Sequence, residues 1–400
     1  MNNMNRRKFL GVSALASAGA VVGCSRNITM AAQPSATPEA AAPGTEETFQ
    51  HRKLGNTGME IPILSMGVMR ADNPAVVRAA YNAGITHFDT ANGYQNGRNE
   101  EMLGAFFKDK DRSTFTIATK GKINLGSETF EKDYEELLHT SLRRLQMDYV
   151  DIYYAHGIGN LEDFTNPRLI NILKKFKADG KIRHIGFSTH ANKPEQIDEA
   201  IKAGIFEVCL ISYNFKLDVL PQLLKAIQRG VDAGMGFIGM KSMAGAVEDA
   251  DGNKKVDGAA CLRWVWSNPN ITTAIPGFTS FDLLDNCLEA AIRPELDEND
   301  KKYLAGLKEK NEGLYCQNCE KCISDCSKHL PIPTIMRAYM YNYGYKQPLL
   351  SKETLMDLAL GKNACNDCFS CTVKCPSGFK VADKIAAITP IVHVPSHFLT

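Results

Sequence analysis

Between Ile61 and about Arg293 the chain alternates short apolar runs with longer amphipathic segments. The runs Leu64–Met69, Thr86–Asp89, Thr114–Thr119, Val150–Tyr154, Ile182–Phe187, Glu207–Ile211, Gly236–Met240 and Thr272–Ile275 predict eight strands. Helical spacing fills the gaps: in Glu131–Leu145, residues Tyr134, Leu137, Leu138, Leu142 and Leu145 recur at three- and four-residue steps. Eight strand–helix units in roughly 230 residues predict an α/β fold, a closed (β/α)8 TIM barrel. A doubly wound open sheet is the alternative, but its Gly-x-Gly-x-x-Gly turn is absent after the first strand. Ahead of the barrel, Phe49–Leu54 and Met59–Ile61 flank Gly55-Asn56-Thr57-Gly58, which predicts a hairpin able to plug the barrel floor. Past the barrel, helical patterns cover Asp297–Lys308, Ile332–Tyr343 and Ser351–Gly361, with Pro333 near a first turn and no strand or hairpin signal. The expected division is 1–32 signal segment, 33–48 linker, 49–296 barrel and 297–400 a smaller helical domain.

Composition adds little until cysteine is counted. The net charge of +1, from 46 basic and 45 acidic residues, gives no electrostatic ground for binding nucleic acid or an anionic membrane. Of 12 cysteines, eight fall in two copies of one phrase. Cys316-x-x-Cys319-x-x-Cys322-x-x-x-Cys326 is followed by Cys365-x-x-Cys368-x-x-Cys371-x-x-x-Cys375-Pro376. Three thiolates at two-residue gaps can wrap three corners of a [4Fe–4S] cubane, and a fourth arrives after a longer step. Structural zinc and disulfides are the competing readings. Zinc sites usually pair two Cys-x-x-Cys knuckles across a longer loop, and disulfides need no repeat of spacing. The double run resembles the dicluster ferredoxins. That resemblance implies two [4Fe–4S] clusters, one on Cys316, Cys319, Cys322 and Cys375, the other on Cys365, Cys368, Cys371 and Cys326. Ser327 departs from it, standing where proline is usual. Cys209, Cys261 and Cys287 are scattered and read as small buried hydrophobes.

The first residues change the expected location. Asn5-Arg6-Arg7-Lys8-Phe9-Leu10 resembles a twin-arginine export signal, followed by 15 weakly apolar residues from Phe9 to Gly23, too short for a membrane span. That route carries folded, cofactor-loaded proteins, which suits clusters assembled before export. Val21-Val22-Gly23-Cys24 looks like a lipobox, making Cys24 a candidate lipid anchor; cleavage near Ala31 or Ala32 is the alternative. Gln33–Thr48 is Ala, Pro, Thr and Glu, a composition that reads as a disordered tether. The expected location is periplasmic or as a membrane-anchored lipoprotein, with the twin-arginine translocase as export partner.

Barrel chemistry sits at the carboxyl ends of the strands. The second strand ends in Phe88-Asp89-Thr90-Ala91-Asn92-Gly93-Tyr94, the third in Ala118-Thr119-Lys120, and the fourth runs through Asp151-Ile152-Tyr153-Tyr154-Ala155-His156. With Arg52-Lys53-Leu54-Gly55-Asn56-Thr57-Gly58, Ile185-Gly186-Phe187-Ser188 and Leu262-Arg263-Trp264-Val265, these phrases resemble the aldo-keto reductases from about Arg52 to Arg293. The resemblance implies a catalytic tetrad of Asp89, Tyr94, Lys120 and His156, with Tyr94 as general acid and Lys120 expected to lower its pKa. It also implies a nicotinamide dinucleotide, with Ser188 at the carboxamide and Lys241, Gly277 and Asn286 as further cofactor contacts. The pattern breaks at Leu210, where the family carries glutamine, and at Leu283, Asn286 and Cys287, where it has a basic or amide residue and then Glu-Asn. Two or three lost polar partners at roughly 1 kcal/mol each weaken binding by about one to two orders of magnitude. Three options follow: an NAD(P) trapped at folding, a different electron source, or a barrel that no longer reduces carbonyls.

Together these features lead to the expectation of an exported oxidoreductase acting on a small carbonyl or alcohol and coupled through its clusters to an electron-transfer partner. The competing expectation is an electron carrier whose barrel is only a scaffold.

Overall fold

The computed structural model describes residues 49–217, 220–244, 257–309, 314–356, 358, 360, 364–365, 368 and 370–399. The export signal, Cys24 and the linker lie outside the described residues.

A hairpin of β1 (His51–Lys53) and β2 (Glu60–Pro62) precedes the barrel. Then come β3 (Met66–Gly67), α1 (Pro74–Asn82), β4 (His87–Asp89), α2 (Arg98–Phe107), β5 (Thr116–Lys122), α3 (Phe130–Leu145), β6 (Val150–His156) and α4 (Pro167–Ala178). The second half continues with β7 (Ile182–Thr189), α5 (Lys193–Ala203), β8 (Val208–Ser212), α6 (Leu220–Asp232), β9 (Gly236–Met240), α7 (Gly258–Trp266), β10 (Thr273–Ala274) and α8 (Phe281–Ile292). Strands β3 to β10 pair in sequence order, all parallel, and a Leu64–Ala274 bridge joins the sheet's two ends. Each predicted strand is found within a few residues of its expected limits.

Period-two alternation builds two cores. Along β6, Ile152 and Tyr154 point into the barrel while Tyr153 and Ala155 meet the helices; β8 repeats this with Val208 and Leu210 inward and Cys209 and Ile211 outward. The hairpin contributes Leu54, Met59 and Ile61 to the inner cluster, as a floor plug must. Its turn needs glycine: Gly55 has φ +51°, and a Cβ there would strike the backbone of Gly234 and Gly236. The α3 stripe packs as its spacing predicts, with Tyr134, Leu138, Leu142 and Leu145 buried. Cys209, Cys261 and Cys287 are fully buried among apolar neighbours, and burial pushes all three thiols up, Cys261 to about 12.

His87 shows how the core responds to acid. Its Nδ1 meets Thr116 Oγ1 at 2.8 Å, while Nε2 is buried without a partner. Burial, helped by Lys120, lowers its pKa to about 3. An unfolded histidine titrates near 6.5, so below that pH the unfolded chain binds the extra proton and the folded chain does not. The stability this group contributes is present above pH 6.5 and is lost as pH falls, by about 1.4 kcal/mol per unit. His87→Gln should flatten the decline measured by urea unfolding between pH 6 and 4 by about that slope.

Beyond the barrel come α9 (Glu298–Glu309), α10 (Lys321–Asp325), α11 (Ile332–Tyr343), α12 (Pro348–Met356) and α13 (Val381–Ile388), with no strand among the described residues. The helix expected from Ser351 starts at Pro348 and is described to Met356: proline suits the first turn, where its missing N–H costs nothing, so the helix starts earlier than the apolar pattern suggested. Helix α9 is held to α7 by a two-bond fork, Arg263 Nε to Asp300 Oδ2 at 2.6 Å and Nη2 to Oδ1 at 2.7 Å.

Candidate active site

Three strand ends bring the expected tetrad together. Lys120 Nζ donates to Asp89 Oδ1 at 2.5 Å and to the Thr90 carbonyl, and both charged side chains are almost wholly buried. Asp89 Oδ2 has no partner. Tyr94 follows β4 in a short 3-10 turn held by Gln95, whose Nε2 donates to the carbonyls of Met69 and Ala71, while Asn92 N donates to Lys120 O. Gln95 and Asn96 take left-handed φ values of 53° and 56°, which turns the loop back over the mouth. Lys120 Nζ lies 4.9 Å from the Tyr94 ring centre, and the His156 ring stands edge-on to Tyr94 at 6.4 Å.

The electrostatics correct one expectation. Tyr94 is raised well above the ordinary phenol range, first by burial and then by Asp89 and Tyr341, with Arg337 opposing. The Lys120 ammonium is directed at Asp89 and Thr90, and its pull on the phenol does not outweigh burial. Burial lowers His156 to about 3, with Lys120 and Arg337 adding to the effect, so its imidazole is neutral near pH 7. The site therefore holds a protonated phenol, a neutral histidine and one buried ion pair.

The cofactor candidates divide. Lys241 and Gly277 line one pocket with Asp89 and Tyr94, joined by Arg70, Ser242 and Tyr345. Ser188 is buried at the end of β7, in register with His156 and Leu210. Leu210 faces the barrel interior with no polar group to offer. Asn286 is exposed on α8, outside the pocket.

Sequence reasoning missed the roof of the site. From the chain beyond the barrel, Tyr315 is buried beside Ser212 and Asn214, and Asn318 Nδ2 donates to His190 O at 2.9 Å. Helix α11 brings Arg337 and Tyr341 to the mouth; Lys241 Nζ lies 5.0 Å from the Tyr341 ring and 5.1 Å from that of Tyr345. Burial raises the Tyr341 phenol, but Lys241 and Arg337 outweigh it and the net direction is down. The run Tyr339-Met340-Tyr341-Asn342-Tyr343-Gly344-Tyr345, unusually rich in tyrosine, was the available signal.

The eight cysteines gather in two groups that cross the runs. Cys316, Cys319, Cys322 and Cys375 line one cavity. Cys368, Cys326 and Cys371 lie near enough to Cys365 to add to the burial that raises its thiol. No disulfide joins the cysteines among the described residues, and none of their His, Cys, Asp and Glu side chains form a group of three arranged for a single metal ion.

A model of the aldo/keto reductase family matches residues 54–257, just over half of the chain. The chain belongs to the aldo/keto reductase family. It is an oxidoreductase of that type. A probable aldo-keto reductase of Glycine max is 28% identical over 312 residues, covering 64% of this chain and 88% of that protein. L-Galactose dehydrogenase of Arabidopsis thaliana is 36% identical over 152 residues, 34% of this chain and 47% of its own length. Among solved structures, the holo form of an aldo-keto reductase from Bacillus halodurans is similar in fold, with a TM-score of 0.53 at 22% identity over 65% of this chain and 96% of that one. Aldo-keto reductases bind NAD(P).

Proposed function

We propose that this protein is an exported oxidoreductase that interconverts a carbonyl and an alcohol, with Tyr94 as general acid, and that its C-terminal cysteines hold two [4Fe–4S] clusters serving electron transfer. The observation that carries the reading is the meeting of Asp89, Lys120, Tyr94 and His156 at one barrel mouth that the C-terminal helices roof. A substrate oxygen seated between Tyr94 Oη and the neutral His156 ring takes its proton from the phenol in reduction and returns it in oxidation. The buried Lys120–Asp89 pair fixes the charge beside the phenol and keeps the polar end of the site in one geometry. His156 orients the carbonyl by hydrogen bonding.

The residues fit a dinucleotide at one end only. Lys241, Ser242, Arg70 and Gly277 can receive phosphates. The ring end lacks the amide partner at Leu210, and the buried Tyr315 side chain stands beside Ser212 and Asn214 where β8 ends. No step is therefore routed through a nicotinamide. The donor set suits the clusters better. A cubane places each thiolate on its own iron, so its cysteines surround a volume and do not converge on a point as the ligands of a single ion do. Cys316, Cys319, Cys322 and Cys375 surround a cavity in that manner, and Cys326, Cys365, Cys368 and Cys371 neighbour one another across the two runs. When bound, such clusters supply electrons singly. Leu210 and the exposed Asn286 favour the second reading, an electron carrier whose barrel has ceased turnover.

Export and lipidation at Cys24 belong to the same proposal and rest on Arg6-Arg7 and Val21-Val22-Gly23-Cys24. Among the described residues no helix is long and apolar enough to cross a membrane.

Anaerobic purification tests the assignment. The protein is expected to be brown, with about eight iron atoms per chain. Cys375→Ser should remove the cluster of the first run and Cys326→Ser that of the second, read as a halved iron content and distinct electron paramagnetic resonance losses. A colourless, zinc-loaded protein refutes the clusters. Release of stoichiometric NAD(P) would restore the dinucleotide as hydride source.

A further inference from the structure

Among the described residues the barrel mouth carries more positive than negative charge. Lys120, Lys241 and Arg337 face it, and Asp89, the carboxylate that lines it among those residues, is engaged by Lys120. Lys241 stands beside the Tyr341 phenol, its Nζ 5.0 Å from the ring centre. Arg337 is half-buried on α11, and among the described residues no carboxylate lies within ion-pair distance of it. It lines a cavity with His190, Lys241 and Tyr315, and its charge is felt at Tyr94, His156 and His190. The phosphate-accepting pocket at Gly277 shares only Lys241 with this cavity, so Arg337 sits on the histidine side of the mouth.

We infer that Arg337 is the receptor for a carboxylate on the substrate, which makes the chain specific for small carbonyl compounds bearing an acid group, 2-oxo acids being the simplest. The planar guanidinium offers parallel donors that match the two oxygens of a carboxylate, a geometry a lysine cannot supply. Lys241 adds a second positive charge to the same cavity. The specificity element is thus carried by α11, outside the barrel. The substrate role rests on the carbonyl chemistry proposed above; the anion site itself stands on the cavity and its charges.

Titration calorimetry on the full chain with oxamate, an unreactive 2-oxo acid mimic, and oxamide, its uncharged isostere, tests the site without requiring turnover. Oxamate should bind roughly 10- to 100-fold more tightly than oxamide. Arg337→Gln should abolish that preference and Arg337→Lys restore part of it. Equal affinity for the two probes, or no oxamate binding at millimolar concentration, overturns the inference, as does an Arg337→Gln variant that keeps oxamate affinity and instead weakens NADPH. Because the unaltered chain supplies the first comparison, a variant that fails to fold leaves the test intact. Oxamate binding in a protein that reduces no carbonyl would refute the reaction and spare the site.

Discussion

Lys120→Met should destabilise the protein by about 3–5 kcal/mol in urea unfolding, the cost of leaving a buried charge without its partner. Asp89 and Lys120 are both nearly inaccessible, and among the described residues their 2.5 Å contact holds the Asp89 side chain, whose second oxygen is unpartnered. Burial pushes the Asp89 carboxyl up and the Lys120 amine down, each held against the trend by the other. Removing the ammonium forces the carboxylate to take a proton or to drag in water. Asp89→Asn with Lys120→Met should recover much of the loss, since two neutral groups need no charge compensation. A loss below about 1 kcal/mol for Lys120→Met alone would mean that the pair is solvated, as surface pairs are.

Tyr94→Phe should lower kcat by about 10²- to 10⁴-fold, the usual weight of one general acid. Stability should hardly change, because the ring and its packing are kept. The assay uses whichever donor, added NADPH or dithionite-reduced protein, supports turnover of the unaltered chain. Since Tyr94 lies well above the ordinary phenol range, it stays protonated up to and beyond pH 10, and reduction should show no alkaline decline from this group. A fall of less than tenfold excludes Tyr94 as the acid. Tyr341 is then the phenol to replace, being close to Lys241 and displaced in the opposite direction.

The barrel was legible because its strands obey a period of two and its helices a period near 3.6, both written in neighbouring residues. Phrases such as Phe88-Asp89-Thr90 and Ala118-Thr119-Lys120 placed polar groups where strands end, so the tetrad could be located before any coordinates. The roof could not be. Arg337 and Tyr341 are each more than 180 residues from Tyr94 and from His156, and no local pattern says which face of α11 will turn toward the mouth. Tyr94's upward displacement was also hidden, since it depends on where the Lys120 ammonium points. Sequence could rank Leu210 as a loss for a dinucleotide; only the fold shows that its side chain belongs to the barrel interior.

Helix α11 begins at residue 332, so the ribosome makes the roof after every barrel strand is complete. A nascent barrel has its proton donor and ion pair in hand while the mouth is still open to water, and it gains its roof only after its own strands have been made. Variation confined to the roof can therefore change which molecules the barrel admits and tune Tyr94 and His156 through Arg337 and Tyr341, while the proton-carrying groups themselves stay encoded in the barrel.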